Sequence, residues 1–387
     1  MGGEEDIPLF EIDWEKQDVE NVTDSITRGG YWADGPYVTE FESRIEDYLG
    51  VAEAVVVNSG TSALTCALEA HEIGPGDEVI VPSFTFIATA NAVELVGAKP
   101  VFADIERDTY GLDPDAIRRQ ITSDTAAIIP VHVYGRACQL DEIRTVADEH
   151  DVVVVEDSAE AMGARTDGRL VGTVGDSAVL SFCQNKVITT GEGGAVVTDD
   201  PAVAARARRY RSHGRAVEDY FHSDESGRYV EVGANLRLSD LSAALGCAQI
   251  ERIESLIERR RRVAAAYNDR FETVPHVEPQ PVGDGRHVYQ LYGITFDREI
   301  DRSTVTATLA DRGISSKPYW DPPIHLTQRY REVYGYDSGH LPVTEDVASR
   351  VLSLPMHPNL TDEEVDRVVT AVVDGIERSQ SRSEVTS

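Results

Sequence analysis

Between residues 50 and 200 the chain alternates two hydrophobic periods. Short runs such as Val55-Val56-Val57, Glu78-Val79-Ile80-Val81 and Val152-Val153-Val154-Val155 are continuously apolar, the pattern of strands buried on both faces. Polar turn residues follow, then segments with helical spacing at Ser62–Leu68, Ile87–Val96 and Gln139–His150. Lys99–Asp104, Ala126–Val131, Ser177–Phe182 and Ala195–Thr198 supply further strands. Repeated units of this kind predict an α/β fold, a mostly parallel central sheet sandwiched by helices.

After a polar, glycine-containing stretch at 212–235, one long helical pattern runs from Ser239 to about Arg270. Beyond it come a strand at Tyr289–Phe296, a helix at Ser303–Arg312 stopped by Gly313, and a terminal helix at Thr361–Arg378. The expected organisation is a large α/β domain over residues 1–255, a smaller C-terminal α+β domain over 256–380 and a disordered tail over 381–387.

Charge narrows the class. The sequence sets 36 Lys+Arg against 68 Asp+Glu, a formal net charge of -32, with the acidic residues dispersed along its length. Self-repulsion on that scale weakens a compact state in dilute buffer. In about 1 M salt the Debye length falls to ~3 Å and most of the penalty is screened. A halophilic protein from a salt-filled cytoplasm is therefore expected. The same charge argues against nucleic acid as a partner, because phosphate contacts need clustered Lys and Arg. The basic run Arg259–Arg262 follows Glu251, Glu254 and Glu258 at helical spacing and reads as a salt-bridged helix face. Cys66, Cys138, Cys183 and Cys247 are far apart and predict free thiols in a reducing compartment, with no metal-ligand spacing. The start Met1–Asp6 is acidic and lacks a secretory apolar run, and the aliphatic runs are too short to span a bilayer. A soluble cytoplasmic protein with no membrane partner is the expectation.

Only four lysines are present: Lys16, Lys99, Lys186 and Lys317. Lys186 closes Ser181-Phe182-Cys183-Gln184-Asn185-Lys186, shortly before Gly191-Glu192-Gly193-Gly194. A guanidinium stays protonated, whereas a lysine amine can lose its proton and condense with an aldehyde. The plain alternative is a loop lysine. Two other stretches share its setting after a strand, where ligands of open parallel sheets collect. Asn58-Ser59-Gly60-Thr61 opens a helix whose N-terminus can cradle a phosphate, or is an ordinary cap. Asp157 ends the Val152–Glu156 strand, where it can cap a helix or pair with a protonated pyridine nitrogen. Cradle, carboxylate and amine in that chain order point to pyridoxal 5'-phosphate held by Lys186 as a Schiff base.

The matching stretches extend almost end to end. They include Gly35-Pro36, Phe41-Glu42, Gly74-Pro75-Gly76-Asp77, Thr85-Phe86-Ile87-Ala88-Thr89, Pro130-Val131-His132-Val133-Tyr134-Gly135, Glu156-Asp157-Ser158-Ala159-Glu160, Gly233-Ala234-Asn235-Leu236-Arg237 and Leu352–His357. In these the chain resembles the DegT/DnrJ/EryC1/StrS family, the sugar aminotransferases of the fold-type-I pyridoxal-phosphate enzymes. The resemblance implies that Lys186 binds the cofactor and shuttles the proton, and that Asp157 pairs with the ring nitrogen. Glu160 would lie near the ring hydroxyl and Phe86 on the ring face, with Ser59, Gly60, Thr61 and Ser181 at the phosphate. Asn235 would reach that phosphate from a neighbouring subunit, implying a homodimer with shared active sites. Tyr319 and His325 fall in the segment that approaches the sugar, and Tyr31 and Trp32 in the one lining the nucleotide-sugar cleft. Dehydratase members carry histidine in place of Lys186, so the lysine implies transamination.

The activity expected is transfer of an amino group from L-glutamate to a keto carbon of a nucleotide-linked deoxysugar. A cyclitol ketone is the alternative acceptor. A non-catalytic regulatory or sensor protein is the alternative of another class, and the charge of -32 speaks against a DNA-binding form of it.

Overall fold

A computed structural model describes residues 5–216 and 227–386. Met1–Glu4, residues 217–226 of the polar stretch, and Ser387 lie outside them. In chain order the first strands are β1 (Glu53–Val57), β2 (Glu78–Pro82), β3 (Lys99–Ala103), β4 (Thr125–Ile128) and β5 (Val153–Asp157). A small hairpin, β6 (Arg165–Thr166) and β7 (Arg169–Leu170), precedes β8 (Ser177–Ser181) and β9 (Gly194–Thr198). Seven of these form one sheet in the order β1-β9-β8-β5-β4-β2-β3. Only β9 runs against the others, pairing antiparallel with both β1 and β8. The remaining pairs are parallel.

The continuous apolar strands follow from burial on both sides. Val55 and Val57 of β1 point into one core, while Ala54 and Val56 point into another across the sheet. Val196 and Val197 of β9 divide the same way. A strand with only one covered face would alternate; here the central residues of each strand are covered on both sides, so those positions are apolar without alternation. Parallel strands also place the carboxyl ends of β1, β2, β4, β5 and β8 along one edge, where β9 begins at Gly194.

Beyond the sheet, β10 (Val277–Pro279), β11 (Tyr292–Phe296) and β12 (Val351–Leu354) form a separate antiparallel sheet. It packs with the helices Ile253–Phe271, Arg302–Ala310 and Asp362–Thr386 around its own core, into which the N-terminal Ile7 also inserts. The helical segment expected to be continuous from Ser239 to Arg270 is two helices, Asp240–Glu251 and Ile253–Phe271. They break at Arg252, whose guanidinium is drawn to Asp13 at 2.5 Å and Asp18 at 2.7 Å on the N-terminal segment. The strand expected from Tyr289 starts only at β11, because Tyr289 itself has a left-handed φ of 50°. The terminal helix does not stop near Arg378 but continues to Thr386, through the segment expected to be a disordered tail. Among the described residues no helix is long and apolar enough to cross a membrane.

The helix Pro342–Arg350 ties the second sheet to the first. Asp104, just past β3, accepts the Thr344 N–H at 2.8 Å and the Val343 N–H at 3.1 Å. Asp346 on that helix holds Arg350 at 2.6 Å, Arg107 at 2.7 Å and Arg298 at 2.9 Å. Burial pushes its carboxyl upward, but Arg350 and Arg107 prevail and hold it at about 2. A depressed carboxylate stabilises the fold above its unfolded pKa, and that contribution disappears as pH falls through the folded value. Asp346→Asn is therefore expected to cost roughly 2 kcal/mol at neutral pH. The difference from the parent should close between about pH 4 and pH 2, which urea unfolding across that range checks.

Candidate active site

The edge at the strand carboxyl ends gathers the chemistry. Ser59 leaves β1 with extended backbone and caps the helix Gly60–Ala70, its hydroxyl accepting the Ser62 N–H at 3.0 Å. The first turn of that helix contains no acidic residue, so its N-terminal amides present uncompensated positive charge. Two glycines let neighbouring strand ends close on this turn. A Cβ at Gly60 would lie 2.9 Å from the Ser181 Cβ, and one at Gly194 would lie 2.5 Å from the Ser59 carbonyl oxygen. Ser59, Gly60, Thr61 and Ser181, expected to share a phosphate, thus converge from β1 and β8 across the start of β9.

Asp157 closes β5 and is only 4% exposed. Its carboxylate accepts the Thr89 hydroxyl at 2.9 Å and the Ala159 N–H at 3.2 Å. Burial pushes this carboxyl above its ordinary value; the Thr89 bond, the Ala159 amide and the charge of Lys186 pull the other way. Beside it Glu156 is fully buried, accepting the amides of Gly172, Val174 and Gly175 at 2.6–2.7 Å and facing His132 Nε2 at 3.0 Å. Despite burial, His132 and these amides hold Glu156 below the ordinary carboxylate range. That bracing fixes the end of β5 and with it Asp157.

Lys186 lies past β8, its N–H bonded to the Cys183 carbonyl at 2.9 Å. Its Nζ donates to Glu160 Oε1 at 3.2 Å, and the side chains are 14% and 11% exposed. The other oxygen of Glu160 accepts the Tyr134 N–H at 3.0 Å. Tyr134 follows β4 in a left-handed conformation, φ 61°, and its hydroxyl donates to the Tyr319 carbonyl. The chain Lys186–Glu160–Tyr134–Tyr319 therefore joins the amine to the segment expected at the sugar. Phe86, beyond β2, is 58% exposed and is no part of a core.

His325 is placed otherwise than expected. It is fully buried, its Nδ1 2.7 Å from the Ser83 hydroxyl and its Nε2 3.2 Å from Glu345. Both ring nitrogens are spent on the protein and burial holds its pKa low, so it fastens its segment to the end of β2 and offers nothing to a sugar. Tyr31 and Trp32 are each about half exposed; the Trp32 indole donates to the Ser25 carbonyl at 3.1 Å, and Tyr31 borders a cavity that none of Lys186, Asp157 or Glu160 lines. Asn235 is exposed, with its backbone bridged to Ser212.

Sequence reasoning assigned no role to Thr89, Tyr134 or the Glu156–His132 pair. A threonine pair at helical spacing past a strand, Thr85 and Thr89, and an aromatic beside Gly135 were the available signals. Neither identifies a partner without the sheet order.

A protein from Caulobacter vibrioides named GDP-perosamine synthase is 40% identical over 344 residues, covering 87% of this chain and 90% of its own length. Helicobacter pylori PseC, an aminotransferase involved in the biosynthesis of pseudoaminic acid, superposes with a TM-score of 0.91 at 29% identity, covering 97% of this chain and all of its own. The PLP-form of the putative sugar aminotransferase Spr1654 from Streptococcus pneumoniae superposes with a TM-score of 0.90 at 29% identity, covering 97% of this chain and all of its own. The profile of the DegT/DnrJ/EryC1/StrS aminotransferase family matches residues 13–373, and with the fold and strand-end site described above this chain belongs to that family of pyridoxal-phosphate-dependent aminotransferases.

Proposed function

We propose that this aminotransferase moves an amino group from L-glutamate to the keto carbon of a nucleotide-linked deoxysugar, working in the cytoplasm as a homodimer. The observation that carries the reading is the Lys186 amine, held 3.2 Å from Glu160 at the strand-end edge that also presents the buried Asp157. The name of the GDP-perosamine relative supports a nucleotide sugar as acceptor.

The residues present fit pyridoxal phosphate. Ser59, Gly60, Thr61 and Ser181 would hold its phosphate at a helix N-terminus that no acidic side chain opposes. Asp157 would hold a proton on the ring nitrogen, and its bonds from Thr89 and Ala159 favour the charged carboxylate that this task needs. Bound there, the cofactor supplies an electron sink and carries the amino group between donor and acceptor. Glu160 orients Lys186 Nζ and stands ready for the ring hydroxyl. Phe86, with more than half its surface uncovered, is available to cover the ring face. Lys186 would hold the cofactor through Nζ, and as a free amine it would take and return a proton at that atom. Asn235 is proposed to complete the phosphate site of the partner subunit. Tyr319, Tyr31 and Trp32 are proposed to border the sugar and nucleotide.

The test loads the protein with pyridoxamine phosphate and adds ketosugars linked to different nucleotides, then a cyclitol ketone. A nucleotide-linked ketosugar is expected to restore the aldehyde absorbance. Restoration by the cyclitol ketone alone would replace the sugar reading.

A further inference from the structure

The backbone of Lys186 is held from the second sheet as well as the first. Its N–H and the Asn185 carbonyl belong to one planar peptide group. The N–H donates to the Cys183 carbonyl at 2.9 Å, and the carbonyl accepts Gln290 Nε2 at 2.6 Å. Both polar ends of the plane that leads into the Lys186 Cα are therefore fastened, while Glu160 holds the far end of the side chain at 3.2 Å. Among the described residues no backbone N–H donates to the Asn185 carbonyl, so the Gln290 amide is its donor.

Gln290 belongs to a segment that is itself pinned. It lies just ahead of β11 and is 2% exposed. The Val288 N–H donates to the Gly135 carbonyl at 2.9 Å, and the Leu291 N–H to the Tyr134 carbonyl at 3.3 Å. This is the turn whose Tyr134 N–H holds Glu160. The approach requires glycine there: Gly135 has φ 99°, and a Cβ on it would lie 2.7 Å from the Val288 side chain and 2.9 Å from the Gln290 nitrogen. Nη1 of the buried Arg260 donates to the carbonyls of Tyr289 and Met356, each at 3.2 Å, which ties the segment to the chain leaving β12.

The orientation of the Gln290 amide is decided by its partner. The Asn185 carbonyl can only accept, so the amide nitrogen must face it. The amide oxygen is buried with no hydrogen-bond partner. An unpaired buried acceptor costs stability, and an apolar side chain of similar size would not carry one. What distinguishes this residue from such a side chain is the bond to Asn185.

We propose that Gln290 is a positioning residue for Lys186: its amide nitrogen fixes the peptide plane between Asn185 and Lys186 and so holds the amine in place against Glu160. The inference rests on Lys186 as the amine that binds the cofactor. Gln290 itself, buried in the protein, acts through the backbone of residue 185 and touches neither cofactor nor substrate.

The test uses the full-length protein stripped of cofactor, as the parent, Gln290→Met and Gln290→Glu. Pyridoxal phosphate is added, samples are reduced with borohydride at intervals, and peptide mass spectrometry follows the adduct on residue 186. Gln290→Met fills the space without a donor and is expected to form that adduct about 10–100-fold more slowly. Hydrogen exchange before cofactor addition gives a readout that a packing role would not move. Exchange in residues 183–188 should quicken about 10-fold in Gln290→Met, with β8 and β9 unchanged. Gln290→Glu adds a pH signature. Burial raises the pKa of a carboxyl there; protonated it donates to Asn185, and ionised it faces the carbonyl with a charge. Its adduct rate relative to the parent should therefore fall from about pH 6 to about pH 9. Circular dichroism reports folding, and if Gln290→Met fails it, Gln290→Glu at the two pH values carries the comparison. Adduct formation on residue 186 within twofold of the parent in the folded variants would overturn the positioning role and leave the proposed function standing. Exchange that rises equally throughout the chain, or not at all at 183–188, would also overturn it. An adduct on a different lysine of the parent would remove the Lys186 reading and this inference with it.

Discussion

Lys186→Arg is expected to abolish transamination, with kcat falling at least about 10³-fold, although the positive charge facing Glu160 is kept. The substitution separates two roles of this side chain. As the partner of a carboxylate that is 11% exposed, it stabilises the local structure, and arginine serves there equally well. As an amine able to lose its proton it has no substitute. The urea midpoint of the variant should therefore stay near that of the parent while turnover is lost. Lys186→Ala should lose turnover as well and also lower stability by about 1–3 kcal/mol, because Glu160 is left without its charged donor. Borohydride reduction followed by peptide mass spectrometry supplies the second readout. The parent should carry the reduced adduct on the peptide containing residue 186, and neither variant should carry one. An adduct on Lys16, Lys99 or Lys317 would remove the assignment.

The second large effect is expected from Asp157→Asn, which keeps the shape of the buried side chain and removes its charge. Turnover should fall about 10²–10³-fold, the scale seen when one preorganised electrostatic partner is taken from a reacting centre. The pH profile is the diagnostic. Burial raises the pKa of Asp157, so the parent should lose activity on the acid side as that carboxyl gains a proton. Asparagine has nothing to protonate there, so the residual activity of the variant should lack that acid limb. An unchanged acid limb would assign it to another group. Retained cofactor absorbance would show that the loss is chemical and does not arise from an emptied site.

Much of the scaffold is legible along the chain, for a physical reason. The strands β1, β2, β5 and β8 announce themselves because burial on both faces requires an unbroken apolar run through their centres, such as Val55–Val57 and Val153–Val155. The turn after β1 is polar, Asn58-Ser59, and lies at the edge where ligands collect. Other elements leave no such trace. The break at Arg252 carries neither glycine nor proline; there the guanidinium pairs with Asp13 and Asp18, which lie more than two hundred residues away in sequence. His325 reads as a polar group in a loop, yet Ser83 and Glu345 close around it. Thr89 reads as a helical residue past β2 and turns out to hold Asp157, because β2 and β5 lie on either side of β4.

Local pattern along the chain carries the alternation of strands and helices and the order of Ser59, Asp157 and Lys186. Tertiary structure decided which of the polar residues face one another: Lys186 against Glu160, Thr89 against Asp157, and His325 sealed away between Ser83 and Glu345. Periodicity records how much of each residue is buried, and that is a local property. Contacts between side chains remote in sequence depend on the order in which strands assemble, β1-β9-β8-β5-β4-β2-β3, and no local pattern encodes that order.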